Sequence, residues 1–207
     1  MEGALKSNKK YDNILFPGRF SILTKVHEGI IRHISDKYVA DEGKLYIGLK
    51  VIVDKNFTNY DNPFTYDERK EMFNIVFGKE IANGKFCVVP INYNPLSLYK
   101  DMKTRCGGTT HIYTREKVWK YCSNFLGMPV IYETRNGISA TNIKEKIYEI
   151  LRKNWNLPEH IDGIDGKILN FMNNKEITNR LKNFADDSRK NKDKFGLIEM
   201  LKRFLHL

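Results

Sequence analysis

Cysteine is scarce. Cys87, Cys106 and Cys122 are the whole complement, an odd number with no C-x-x-C spacing and no histidine pair nearby. That excludes a disulfide framework and a thiolate zinc site, and it fits a reducing compartment, so a cytoplasmic location is expected. No apolar run reaches membrane-spanning length, and Met1-Glu2-Gly3-Ala4-Leu5-Lys6 has no signal-peptide core, so no membrane partner is expected. There is no internal repeat, and no biased block beyond a lysine-rich patch near 188–194 that reads as an exposed loop. Acidic residues are in deficit: 25 Asp and Glu against 35 Lys and Arg leave a formal charge of +10. The surplus is diffuse and does not form a tail, because residues 156–207 carry ten basic against eight acidic side chains. Charge without a nucleic-acid recognition motif points to nucleotides and phosphates as partners and away from DNA or RNA.

What the chain does have is enough apolar material for one sizeable core: 207 residues, 41% hydrophobic and 12% aromatic. Its organising stretch is Ile14 to Ile31. A short apolar run ends at Pro17-Gly18, where the backbone must turn, and from Lys25 onward Val26, Ile30 and Ile34 recur as an amphipathic stripe. A strand thus enters a loop carrying Arg19, Phe20, Thr24 and Lys25, then a helix whose first turn holds His27. Free amide groups and the helix dipole at such a start face an anion, with cationic side chains beside them. A second unit answers it: Pro129 to Tyr132 reads as a strand, and Gly137 to Lys144 opens a helix with Ser139 and Thr141 as capping residues and Ile143, Ile147, Ile150 and Leu151 on its apolar face.

Between these units, Leu45 to Val53 reads as a buried parallel strand. Thr65-Tyr66-Asp67-Glu68 is a capping box at the head of a helix with Met72, Ile75 and Val76 on one face, and Glu68 and Arg69 read on their own as a solvated helix start. Phe86 to Ile91 is the third strand. Residues 92–108, rich in turn formers, read as a long loop forming a wall of an acceptor pocket, with a hinge at Gly107-Gly108. His111 to Thr114 is the fourth strand, with His111 either lining the pocket or in the core, and a helix follows from Arg115 to Phe125. The fold class expected is α/β, a doubly wound parallel Rossmann-like sheet with C-terminal helices. Residues 1–10 read as a flexible N-terminus, 11–155 as the sheet domain and 156–207 as a helical extension packed on that domain. Its stripes are Ile168, Phe171 and Met172 in one helix and Leu197, Ile198, Leu201 and Phe204 in another, suited to covering the sheet or to a homo-oligomer contact.

Gly18-Arg19-Phe20 followed by Thr24-Lys25-Val26-His27 resembles the first motif of the HxGH nucleotidyltransferases. Ile138-Ser139-Ala140-Thr141-Asn142-Ile143-Lys144 is similar to their second signature, I-S-x-T-x-x-R. Asn62-Pro63-Phe64-Thr65-Tyr66-Asp67-Glu68-Arg69 is similar to a stretch of archaeal-type nicotinamide-mononucleotide adenylyltransferases. The resemblance spans roughly residues 12–150. Val26 stands where the family has glycine, Ser21-Ile22 where Gln-Pro often follows G-R-F, and Lys144 where it has an arginine with a planar two-pronged grip.

The resemblance implies transfer of AMP from ATP to a phosphorylated acceptor, nicotinamide mononucleotide first among them, with Mg²⁺ bound through the substrate phosphates and no protein metal site. It implies that His27 donates to an α- or β-phosphate oxygen and that Arg19 reaches the β,γ-phosphates. Lys144 with Ser139 and Thr141 would contact the leaving pyrophosphate, and Gly18, Phe20, Thr24 and Lys25 would complete the nucleotide site. It also raises the expectation that Arg69 holds the neighbouring loop. The alternatives are a cytidylyltransferase, a relative with another acceptor, and a nucleotide-binding descendant without turnover.

Overall fold

The structure, a computed structural model, describes residues 9–51, 54–92, 94–107, 109–117, 120–121, 125–134 and 140–187. Strand β1 (Tyr11–Gly18) leads through a short loop into helix α1 (Lys25–Tyr38), and β2 (Val39–Lys50) into α2 (Tyr66–Ala82). Strand β3 (Phe86–Ile91) is followed by α3 (Pro95–Arg105), then β4 (Thr110–Thr114) and β5 (Val130–Tyr132). Helices α4 (Ala140–Lys153) and α5 (Gly166–Met172) follow, and a further helix, α6, covers 175–187. All strand pairs are parallel and the sheet order is β3-β2-β1-β4-β5. The doubly wound parallel sheet is therefore as expected. Strand order reverses between β1 and β4, the place past the carboxyl ends of the strands where sheets of this kind bind ligands.

Alternation along the strands sorts side chains to two faces. Ile14 and Phe16 of β1, with Leu45, Ile47 and Leu49 of β2, join the larger buried cluster, which also takes in Ile31 and Ile34 of α1, Met72 and Phe73 of α2, and Ile147 and Leu151 of α4. Leu157, Ile161, Ile168, Met172 and Leu181 belong to that same cluster, so the described segment from Leu157 to Ala185 packs into one core with the sheet. Leu15, Tyr46 and Ile112 face the other way, onto Leu98, Met102 and Cys106 of α3 and its C-cap.

Three local expectations change. The stretch 92–108 is not a long loop: most of it is α3, which covers the second face of the sheet. Asn94 caps it by accepting from Ser97 N–H at 2.8 Å, and Pro95 stands at the helix start, where its missing N–H has no helical partner to lose. The second strand starts earlier and ends sooner than expected, at Val39 and Lys50, while Ile52 and Val53 lie outside the described residues. The inner face of α1 is Ile31, Ile34 and Ser35, with Val26 and Ile30 only half-buried. Of the helix expected from Arg115 to Phe125, Lys117, Lys120, Tyr121 and Phe125 are helical, while 118–119 and 122–124 lie outside the described residues, as do the stripe Leu197 to Phe204, the lysine-rich patch and residues 1–8.

Candidate nucleotide site at the sheet switch point

The loop after β1 is shaped by packing between its own residues. Phe20 has φ +43°, the only positive φ outside glycine among the described residues. This folds its ring back over Gly18, where an added Cβ would lie 2.5 Å from Phe20 Cε2. The ring is 5% exposed and meets Phe16, His27 and Phe73 edge-on with centroids 5.2–5.3 Å apart. Gly18 and Phe20 thus act as a packing pair, while Arg19 between them points its side chain to solvent.

Arg69 clamps this loop from beneath. It is 3% exposed and donates to three carbonyls: Arg19 O at 2.6 Å, Lys50 O at 2.9 Å and Thr65 O at 3.3 Å. The ends of β1 and β2 and the start of α2 are thereby held by one guanidinium. Desolvation pulls that guanidinium below its ordinary pKa, yet arginine keeps its charge, so a positive group lies directly under the loop. The solvated helix start expected from the residues alone is not what forms. Glu68 is also engaged: it accepts from Thr65 N–H at 2.8 Å within the capping box and pairs with Arg180 of α6 at 2.6 Å.

Thr24 and His27 form the second capping box. Thr24, 2% exposed, accepts from His27 N–H through Oγ1, while Thr24 N–H and Oγ1 both approach His27 Nδ1, at 3.3 and 3.1 Å. Because Thr24 N–H donates to Nδ1, that nitrogen offers its lone pair and the ring proton falls on Nε2. Nε2–H is then the donor of this ring, at the start of α1. The amide groups of this first turn are partly committed, contrary to the expectation of free ones. Lys25 N–H donates to Gly163 O at 2.8 Å and Glu28 N–H to Thr24 O at 3.0 Å. Gly163 has φ +87°, a conformation that favours glycine, and through its carbonyl and its contact with Ile143 it bridges the starts of α1 and α4.

At the second unit, Ser139 lies outside the described residues with all of 135–139. Thr141 is exposed on the first turn of α4. Lys144 is buried: its Nζ pairs with Asp61 at 3.0 Å, lies 3.4 Å from Tyr60 O and sits 4.8 Å above the Tyr60 ring. Glu133, just after β5, ties the end of that strand to α1 and β4. Its carboxylate accepts from Tyr38, Tyr113, Lys37 and His33 at 2.5–3.1 Å. Burial alone would raise its pKa, but these donors outweigh burial and hold it far below the usual carboxylate range.

Of the residues singled out from the sequence, Gly18, Arg19, Phe20, Thr24, Lys25 and His27 are thus on one loop and helix start, and Gly163 brings the head of α4 beside them. His111 is not there: it pairs with Ile14, toward the opposite edge of the sheet, with its ring 3.9 Å from that of Tyr11. Asp61, Gly163, Arg180 and Glu133 went unrecognised, since each acts through a partner 20 or more residues away.

The fold is the α/β Rossmann-like class found in nucleotidyltransferases. No family model matches the chain, and no curated protein matches it in sequence. Among solved structures it resembles the bifunctional NMN adenylyltransferase/ADP-ribose pyrophosphatase of Francisella tularensis, complexed with AMP and a manganese ion. The TM-score is 0.57 at 17% identity, over 95% of this chain and 56% of that one. It also resembles the nicotinic acid mononucleotide adenylyltransferase of Plasmodium falciparum complexed with NaAD, with a TM-score of 0.54 at 13% identity, over 82% of this chain and 98% of that one. The chain spans about half the length of the Francisella protein. At these identities the likeness is one of fold.

Proposed function

We propose that this protein is a nucleotidyltransferase that transfers AMP from ATP to nicotinamide mononucleotide, giving NAD and pyrophosphate. The observation that carries the reading is the Thr24–His27 pair, which fixes the histidine with its donor on Nε2 at a helix start, after a loop that carries exposed Arg19, at the reversal of strand order. The similarity in fold to the two adenylyltransferases supports it.

An acceptor phosphate oxygen attacks the α-phosphorus, the bond to the bridging oxygen breaks, and the electron pair leaves with pyrophosphate. The attacking oxygen is already anionic, so no covalent enzyme intermediate is required; alignment and charge neutralisation suffice. His27 Nε2–H donates to an α-phosphate oxygen as negative charge grows there. Arg19 meets the β,γ-phosphates, Lys25 adds positive charge, and Lys144 with Ser139 and Thr141 receives the leaving group. Gly18 and Phe20 set the loop. Arg69 holds Arg19 from below without touching substrate. Arg19, Thr24, Lys25, Thr141 and Lys144 bring cations and hydroxyls, which suit phosphate oxygens, so Mg²⁺ would arrive on the phosphates of ATP and neutralise them.

A second reading, a nucleotide binder without turnover, is favoured by two observations: Lys144 is held by Asp61, and part of the α1 amide set is spent on Gly163. Pyrophosphate release with ATP and Mg²⁺ separates the two, comparing nicotinamide mononucleotide with its nicotinic acid analogue and with CTP in place of ATP. His27→Ala is expected to lower kcat by about 10²–10³-fold, the usual cost of one transition-state donor. Thr24→Val should lower kcat less while KM holds. ATP binding without pyrophosphate release from any pair would reject catalysis and leave the second reading.

A further inference from the structure

We propose that Asp61 stands in for a substrate phosphate on Lys144 and must leave that cation when nucleotide binds; this rests on the phosphate-binding role given to Lys144 above. A carboxylate at 3.0 Å from a lysine Nζ occupies the place an anionic phosphate oxygen would take.

The two partners differ sharply in freedom. The Lys144 side chain is 6% exposed and the Asp61 side chain 65%. The backbone on either side of Asp61 is pinned. The Tyr60 ring stacks on Tyr148 at 4.6 Å, its hydroxyl donates to Glu145 at 2.6 Å, and its carbonyl accepts from the Tyr148 hydroxyl at 2.8 Å. Asn62 N–H donates back to Asn59. Asp61 can therefore rotate its side chain into water while the turn stays in place. Lys144 keeps the carbonyl and ring of Tyr60 through the exchange, so it is not left bare at any point. An arriving phosphate drives the rotation, because two anions beside one ammonium repel.

A second observation marks the same turn. Asn62 is 5% exposed, and its side-chain Oδ1 is buried without a hydrogen-bond donor. An unmet buried acceptor is unfavourable and persists only where neighbouring groups over-determine the geometry, as at sites that rearrange. The unmet acceptor of Asn62 and the carboxylate of Asp61 on a buried cation thus adjoin on one turn.

The experiment is calorimetric titration of the full chain with Mg²⁺–ATP and, separately, with Mg²⁺–pyrophosphate. The proteins are wild type, Asp61→Asn, Lys144→Met and the double variant, with thermal melts confirming folding. Asp61→Asn is expected to tighten both ligands by about 3–10-fold, the scale of one partly screened like-charge contact. Asp61→Asn should have no effect in the Lys144→Met background. If ATP binds wild type and Asp61→Asn binds it equally or more weakly, Asp61 is a structural partner and the proposal falls while the nucleotide site stands. If folded wild type and variants all fail to bind ATP, the nucleotide reading itself falls.

Discussion

Replacing Gly18 with alanine would set a methyl carbon 2.5 Å from Phe20 Cε2, 2.8 Å from Cζ and 3.0 Å from Cδ2. A flexible side chain could step aside at little cost, but this ring is enclosed. It is 5% exposed, and Phe16, His27 and Phe73 meet it edge-on. The backbone has little room to yield either, because Phe20 already sits at φ +43°, a conformation costing about 1–2 kcal/mol for a side chain with a Cβ. Overpacking an enclosed site costs roughly 1–3 kcal/mol, so about 2 kcal/mol is expected here. For a chain of this size that lowers the thermal midpoint by roughly 4–8 °C. Phe20→Leu shortens the offending group, and in that background Gly18→Ala should cost under about 0.5 kcal/mol, leaving a coupling of about 1.5 kcal/mol between positions that touch. Urea unfolding of the four proteins measures it. Because the ring also meets His27, Gly18→Ala alone should weaken ATP binding as well. Equal costs of Gly18→Ala with and without Phe20→Leu would refute the claim that the ring is what requires glycine.

Arg69→Met removes donors from the carbonyls of Arg19, Lys50 and Thr65 but also relieves the burial of a cation. Gross losses of about 1.5–3 kcal/mol for each of the two short bonds, less that relief, leave about 2–4 kcal/mol of destabilisation by urea unfolding. Arg69→Lys should restore little, since a single ammonium cannot span three carbonyls; wild-type stability in the lysine variant would sink this account of the clamp. Glu133 predicts a pH dependence. Its folded carboxyl lies below the ordinary value of 4.5, so its stabilisation is fully present above that pH and is lost as pH falls through the folded value. Glu133→Gln should cost about 2 kcal/mol at pH 5, with the gap to wild type shrinking at pH 3; a gap constant between the two pH values would contradict the charged network.

Much of the fold follows from local rules that the residues state directly. The turn at Pro17-Gly18, the capping box at Thr65 and Glu68, and the apolar faces of α2, α4 and α5 each depend on neighbours within one or two turns of chain. Such spacing also placed Thr24 and His27 at a helix start. It failed at α3, where Asn94-Pro95 reads equally well as a turn or as a cap with proline at the first helical position, and only the sheet face under Leu98 and Met102 decides between them. The strand order, too, belongs to tertiary structure, because which strand lies beside β1 depends on how the helices share two faces. The same holds for charge. Arg69, Lys144 and Glu133 look like surface residues in a row of letters, and what each does is set by carbonyls, a carboxylate or hydroxyls brought from distant segments. The sequence by itself determined the elements and the cations and hydroxyls at their ends. Tertiary structure decided which of those groups are already paired, because the free energy of a buried charge depends on partners that no local spacing encodes.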